Sequence, residues 1–170
     1  MTFPEPDRLS RCFRVRRLTE ADLKPVYDLC ATNPQYYACC GVPLTMESLR
    51  ADLTLLPPGC VPAQKHFLGY WDEAGLAAIL DLVADFPVPG TAYIGLFMVD
   101  ARRAGRGLGT ALIGELRAAL QGSGCDTLRL AYGKNNPQSA RFWTRNGFLP
   151  AAEKLHPDFG PMVIAERGLG

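Results

Sequence analysis

The stretch VDARRAGRGLGTALIGEL, residues 99–116, decides the fold of this chain. It places Gly105, Gly107 and Gly109 between an apolar run and a segment whose apolar residues repeat at helical spacing. Glycines let backbone amides approach a ligand closely, and a helix N-terminus adds unpaired amide protons and a positive dipole end. The stretch therefore predicts an anion site suited to phosphate, with three arginines nearby.

Two familiar nucleotide-binding loops fit this stretch poorly. A Walker loop ends in Gly-Lys-Ser/Thr, whereas this one ends in Gly109–Thr110 and has no lysine. A Rossmann fingerprint that starts at Gly107 needs a small residue where Leu112 stands, and the chain lacks repeated βαβ units. The loop alone leaves open a plain glycine-rich turn with solvated arginines.

The composition limits the classes of protein to which this chain can belong. The chain has 170 residues, 48% apolar and 21% charged, with a net charge of +1, which indicates one domain and no general field for nucleic acid or anionic membranes. No apolar stretch approaches the ~20 residues that span a bilayer. The six cysteines form no C-x-x-C pair, so they are interpreted as free thiols in a reducing cytoplasm, with no metal site.

The order of predicted elements indicates an α+β domain over residues 12–170, preceded by a loose tail over residues 1–11. Two hairpins predict an antiparallel sheet, and a later strand–helix–strand unit predicts a right-handed crossover with a parallel pair. The segment ATNPQYYACCGVP, residues 31–43, is interpreted as a loop. Strands are predicted over 13–18, 65–71, 76–86, 91–99 and 126–132 and in FLPAAE and PMVIAE, and helices after Thr19, from Thr45 to about Leu56, over 108–120 and over 137–146.

Two motifs resemble the GNAT superfamily of N-acetyltransferases. AGRGLG, residues 104–109, is similar to the family's acyl-CoA-binding pattern Q/R-x-x-G-x-G/A, with Ala104 at its first position. NPQSARFWTRNGF, residues 136–148, is similar to the pattern N-x-x-[AS]-x-x-F-Y-x-x-x-G-F that follows the next strand, with Trp143 where the family has tyrosine. Together the motifs cover about a third of the chain in the family's order.

The resemblance implies a single GNAT-like domain with a mixed, mostly antiparallel sheet, a splayed parallel strand pair and about four helices. It also implies acetyl-CoA as the acyl donor. A bulge is expected at residues 97–99, where the amides of Phe97 and Val99 would bond pantetheine. The implied cofactor-binding residues are Phe97, Met98, Val99, Ala104, Gly105, Arg106, Gly107, Leu108, Gly109, Thr110, Asn136, Ser139, Phe142 and Trp143.

The activity that the resemblance implies is direct transfer of an acetyl group to a primary amine, within a ternary complex. A small-molecule amine is the expected acceptor. A protein N-terminus or lysine, and an acyl-CoA-binding protein without turnover, remain as alternatives. No nucleic acid or membrane partner is expected, and a homodimer is left open because dimers are common among relatives.

Candidates for the base and the acceptor site come from single residues. Asp81 lies within an apolar strand in phase with Ile79, so it is either a buried base or a carboxylate paired with an arginine such as Arg14 or Arg16. His66 is either a second base or a structural histidine. Tyr36 and Tyr37 lie in the segment that covers the acceptor site in the family.

The leaving thiolate raises a separate question at Trp143. Indole donates a hydrogen bond but does not titrate near neutral pH, so the family's tyrosine acid is not carried over. Three explanations stand: the thiolate leaves with hydrogen-bond help only, Tyr132 supplies the proton, or no turnover occurs. The amide of Phe97 is the candidate donor to the tetrahedral oxyanion.

Overall fold

A sheet of seven strands forms the centre of the protein, whose computed structural model describes residues 1–170. The strands are β1 (Arg14–Arg17), β2 (Lys65–Asp72), β3 (Gly75–Ala84), β4 (Thr91–Val99), β5 (Thr127–Gly133), β6 (Leu149–His156) and β7 (Gly160–Gly168). Their order across the sheet is β1-β2-β3-β4-β5-β7-β6. All neighbours are antiparallel except β4 and β5, which confirms the predicted mixed sheet with one parallel pair.

Five α-helices lie on the sheet: α1 (Leu23–Ala31), α2 (Pro34–Cys40), α3 (Met46–Asp52), α4 (Leu108–Leu120) and α5 (Pro137–Arg145). Two predicted caps are present, because Thr45 accepts a hydrogen bond from the Ser48 amide and Asn136 accepts one from the Ser139 amide, both at 3.0 Å. The loop prediction for residues 31–43 is wrong, since α2 forms there and ends at Gly41 with a positive φ of 68°. Likewise, α3 ends four residues before the predicted Leu56.

Two apolar cores lie on opposite faces of the sheet. Residues such as Leu80 and Ile94 pack against α4 and α5 on one face. Side chains that point the other way, such as those of Ile79 and Met98, pack under α1 and α3 on the other face. We call these the α4 face and the α1 face.

The first eleven residues, predicted as a loose tail, pack on the α4 face in the structure. Leu9 is fully buried in that core, and Pro6–Arg8 form a single 3-10 turn. The ring of Phe3 stacks on His66 with centroids 3.7 Å apart. The segment is ordered because burial of its apolar side chains on the α4 face is favourable.

One extra residue interrupts β4 at Gly95. Asp81 of β3 lies opposite Leu96, whereas the next residue, Leu82, lies opposite Ile94, so Gly95 has no partner in the register. The bulge was expected at residues 97–99 and lies two residues earlier. A Cβ at Gly95 would approach the Asp81 carboxylate to 3.1 Å, which explains the glycine there.

Beyond the bulge, β4 and β5 part. Their parallel pairing ends at Ile94 and Leu130, after which β4 continues against β3 and β5 against β7. A gap therefore opens in the middle of the sheet, between the strands that flank the glycine loop. None of the helices is both long and apolar enough to cross a bilayer.

Candidate active site

A cleft of about 430 Å³ opens above this gap. Its walls are the end of β4, the glycine loop with the start of α4, one side of α5 and the junction of α1 with α2. All of the predicted cofactor-binding residues line it except Arg106. Segments far apart in the chain thus meet at one site, which we call the large cleft.

The glycine loop presents unpaired amides to the large cleft. None of the backbone N–H groups from Gly105 to Thr110 donates a hydrogen bond to the backbone, and the first helical bond runs from Ala111 to Gly107. Gly105 and Gly107 have φ of +81° and +79°, a conformation that side chains disfavour. Six consecutive amides without a backbone acceptor thus lie at a helix N-terminus, an arrangement suited to an anion.

Gly109 is a glycine for a different reason. A Cβ at this position would lie 3.0 Å from Cε2 of Phe142 and 3.6 Å from the Phe97 ring. The Phe97 and Phe142 rings are stacked 5.9 Å apart, so the absence of a side chain lets α4 approach them closely. The loop and the aromatic wall of the large cleft therefore fit each other directly.

The positively charged side chains that line the large cleft come from α5 and not from the glycine loop. Arg102 pairs with Asp100 at 2.6 Å and Arg103 pairs with Asp72 at 2.5 Å, while Arg106 is exposed outside the cleft. Arg141 and Arg145 of α5 line the cleft instead, and neither forms a salt bridge. Sequence reasoning missed this pair, although their i, i+4 spacing in the second motif places them on one helix face.

Backbone amides alternate between the two edges of β4, and this alternation leaves two of them facing the gap. The amide of Asp100 donates to the carbonyl of Ala77 at 2.9 Å, in register with the β3–β4 ladder. Since antiparallel pairs alternate, Met98 bonds β3 whereas Phe97 and Val99 direct their amides to the other side. Consistently, the Val99 carbonyl accepts a hydrogen bond from the Asn33 side chain at 3.0 Å rather than from β3.

A second cleft of about 90 Å³ meets the large cleft at the gap. It lies between α2, β4, β5 and the turn that joins β6 to β7, and we call it the small cleft. The residues shared by the two clefts are Tyr36, Phe97, Asn136, Ser139 and Trp143. Two ligands that enter from the two clefts would therefore meet between β4 and β5.

Trp143 stands between the two clefts as part of an aromatic cluster. Its indole is 7% exposed and packs against Phe142 at 4.9 Å and Phe148 at 5.0 Å between centroids. The indole thus fills a core position while one side borders both clefts.

Residues 32–148 match the sequence model of the acetyltransferase (GNAT) family. The chain belongs to this GNAT acetyltransferase family. It is therefore an acyl-CoA-dependent N-acetyltransferase with acetyl-CoA as the donor. No group of three or more histidine, cysteine, aspartate or glutamate side chains is arranged to hold a metal ion.

Solved structures of other acetyltransferases share the fold. An acetyltransferase from Thermus thermophilus is 21% identical with a TM-score of 0.77, over 91% of this chain and 95% of that one. The PaiA N-acetyltransferase from Thermoplasma acidophilum, in complex with coenzyme A, is 17% identical with a TM-score of 0.64, over 91% and 97% of the two chains. An acetyl transferase from Salmonella typhimurium that modifies the N-terminal serine of ribosomal protein L7/L12 is 16% identical with a TM-score of 0.73, over 94% and 96%. Comparison with proteins of curated function gave no match.

The predicted acceptor and acid residues of this acetyltransferase are only partly brought together. Tyr36 lines both clefts and Tyr132 lines the small cleft. Tyr37 lines neither, because it packs into the core of the α1 face beside Cys30. His66 also lies outside both clefts, buried on the α4 face, where burial and the neighbouring Arg17 lower its pKa to about 4.

Asp81 lies behind the wall of the small cleft. Its Oδ2 accepts a hydrogen bond from Nζ of Lys65 at 2.8 Å, so the partner is this lysine and neither Arg14 nor Arg16. Its Oδ1 is buried without a hydrogen-bond partner. Burial raises the pKa of Asp81 above its usual value, and the attraction of Lys65 offsets only part of this. The carboxylate lies beside Gly95, which lines the small cleft: a Cβ at Gly95 would be 3.1 Å from Oδ2.

Proposed function

We propose that this acetyltransferase acetylates the primary amine of a small molecule while acetyl-CoA is bound beside it. The observation that carries the proposal is the meeting of two clefts of different size at one gap. The large cleft offers free amides and arginines to the diphosphate of coenzyme A. The small cleft is closed in by α2 and the β6–β7 turn, which suits a small amine better than a protein segment.

The donor is proposed to lie along the end of β4. The amides of Gly105–Thr110 bind the diphosphate, and Arg141 and Arg145 add charge-assisted contacts. The pantetheine arm then follows the free amides of Val99 and Phe97 into the gap. Its thioester would reach the residues that both clefts share.

Replacing Arg141 and Arg145 together with glutamine should weaken coenzyme A binding by about 10- to 100-fold, because two charge-assisted hydrogen bonds are lost and solvent at these exposed positions reduces each below the usual value of about 1.5–3 kcal/mol. The loss should shrink as salt is added, because salt screens exposed charges. Calorimetric titration with coenzyme A at two salt concentrations measures both effects. Arg106→Gln, outside the large cleft, is the matched control with a smaller expected change, and an equal loss in it would contradict the assignment.

Proton removal is assigned to Asp81. An alkylamine with a pKa near that of lysine is neutral in about one molecule per thousand or fewer at pH 7, so attack needs a proton acceptor. The Asp81 carboxylate is that acceptor: its Oδ1 has no hydrogen-bond partner, and its Oδ2 lies on the side of Gly95, where the wall of the small cleft carries no side chain. Lys65 holds the carboxylate in place through Oδ2.

Acetyl transfer itself needs two further groups. As the amine nitrogen bonds the thioester carbon, the Phe97 amide donates to the developing oxyanion, an interaction whose loss costs about 100- to 1000-fold in other enzymes. When the carbon–sulfur bond breaks, the thiolate leaves near Tyr132 and Trp143. Tyr132 is proposed to give its proton to the thiolate and to regain one from the acetylated nitrogen, which loses its second proton at this point, and the Trp143 indole contributes at most a hydrogen bond.

Incubation with acetyl-CoA and a mixed acceptor panel tests the proposed function. The panel contains small primary amines, a peptide with a free N-terminus and a peptide whose only amine is a lysine. Products are detected by mass, because the six cysteines would react with thiol reagents. We expect acetylated small amines, and acetylation of the peptides alone would contradict the proposal.

A further inference from the structure

We infer that the acceptor carries its amine on an apolar, preferably aromatic, group and bears no second cationic charge. This inference rests on the proposed function, because it takes the small cleft as the acceptor site. None of the residues that line the small cleft is charged. Its walls are instead aromatic and aliphatic, and include Leu96, Tyr132, Trp143, Phe159 and Met162.

The polar groups of the small cleft are few and partly engaged. The side-chain oxygen of Asn136 caps α5 through the Ser139 amide, and the phenol of Tyr36 lies beside the thiol of Cys40. A second ammonium bound among these groups would be removed from water, and it would find no counter-ion there. Burial of an uncompensated charge is strongly unfavourable, so a polyamine fits this site badly.

The acidic residues around the small cleft, Asp52, Asp81 and Asp158, do not supply that counter-ion. Asp52 lies near Tyr36 but lines neither cleft, and the charge of Lys65 already attracts its carboxylate. Asp81 serves the reacting amine as its base and is already paired with Lys65, so it is not available to a second ammonium. Asp158, beside Phe159 in the β6–β7 turn, is 76% exposed at its side chain, and ion pairs formed in water contribute little. The only charged residues that line the adjoining large cleft are Arg141 and Arg145, which repel a cation.

Phe159 gives the small cleft an aromatic edge. It lies in the β6–β7 turn, where its ring packs against the His156 ring at 4.5 Å between centroids. The backbone amides of Asp158 and Phe159 both donate to Nδ1 of His156, which holds the turn together. Because 40% of Phe159 remains exposed, its ring can still stack on an aromatic substituent of the acceptor.

Competition between two amines tests the inference on the wild-type enzyme. Phenethylamine carries an aromatic ring and one ammonium, whereas spermidine carries three cationic nitrogens on an aliphatic chain. We expect kcat/KM for phenethylamine to exceed that for spermidine by about 100-fold, within the discrimination that one apolar pocket achieves. A preference for spermidine would overturn the inference but leave the proposed function standing, whereas acetylation of no small amine would overturn both.

A charge placed in the small cleft should change this preference. Met162→Glu should lower kcat/KM for phenethylamine by about tenfold or more and raise it for spermidine, because the carboxylate now offers a counter-ion. Leu155→Glu, on β6 outside both clefts and 80% exposed, is the matched control and should leave the ratio unchanged. A folded Met162→Glu enzyme with the wild-type ratio would overturn the inference.

Phe159→Ala provides a second variant on an exposed turn, where loss of folding is not expected. Removing the ring should reduce kcat/KM for phenethylamine by several-fold, about the value of one aromatic contact, and leave that for a small aliphatic amine such as propylamine unchanged. Equal loss for both amines would contradict an aromatic subsite at this position.

Discussion

Replacing Asp81 with asparagine should lower kcat by about 10²- to 10⁴-fold, the usual contribution of a positioned base, and leave the affinity for coenzyme A unchanged. The residue lines neither cleft, so its loss removes a proton acceptor and no contact to the donor. Steady-state kinetics with the best amine, together with calorimetric binding of coenzyme A, measure the two quantities. An equal fall in coenzyme A affinity would point to a structural role instead.

The pH dependence separates the base from a merely structural carboxylate. Burial raises the pKa of Asp81, so in the wild-type enzyme the carboxylate becomes protonated as the pH falls, and kcat declines in acid. The Asp81→Asn enzyme has no such group, and its rate should rise with pH only as the amine itself loses its proton. The same acid decline in both enzymes would exclude Asp81 as the base.

Asp22→Asn is the matched control for this profile. Asp22 is likewise paired with a cation, but it lies in the turn before α1, where hydrogen bonds from Arg16 lower its pKa to about 2. It remains ionised through the assay range, so the shape of the pH profile should stay as in the wild type. Any loss of stability appears in thermal melts, where Asp81→Asn and Asp22→Asn can be compared directly.

Gly107→Val should weaken coenzyme A binding by about 100-fold or more, because a β-branched residue strongly disfavours the left-handed conformation that this position adopts. The backbone must then turn, and the amides from Gly105 to Thr110 no longer point to one place. Calorimetry and a thermal shift with coenzyme A measure the loss, since a ligand of the native state raises its stability.

Gly114→Ala is the control for this substitution. Gly114 lies in the middle of α4, and a Cβ there meets no atom within 4 Å. Alanine should therefore stabilise the helix by about 0.5–1 kcal/mol and leave coenzyme A affinity unchanged. Wild-type affinity in Gly107→Val would contradict the proposed diphosphate site.

Sequence alone predicts the elements whose signals are local. The bounds of α4 follow from its apolar repeat after the glycine loop, and the start of α3 follows from the Thr45 cap. By contrast, α2 was missed because Pro34 and Gly41 near its ends resemble loop residues. Its stabilisation comes from tertiary packing of Tyr36 and Tyr37 on the core of the α1 face, which no local pattern reveals.

The candidate site also has one part that local sequence predicts and another part that depends on tertiary structure. The glycine loop and the second motif predict the large cleft, because both lie within continuous stretches of chain. The partner of Asp81 depends on strand register: Phe67 lies directly opposite it, and Lys65 reaches it from the diagonal position. Similarly, the sequence does not reveal which face of the sheet His66 occupies, and it is this face that keeps the side chain away from both clefts.

The bulge at Gly95 acts on everything that follows it in the strand. Successive residues of a strand alternate between its two faces. One extra residue in a bulge therefore reverses the face on which each later residue lies, compared with an unbroken strand. Ile94 and Phe97 consequently share the α4 face, although three positions separate them. If the strand instead continued from Ile94 without the bulge, Gly95 would lie opposite Asp81 and Phe97 opposite Ile79, so the Phe97 ring would turn to the α1 face and its amide toward β3. Strand register, rather than the chemistry of any side chain, thus determines whether the Phe97 amide faces the gap.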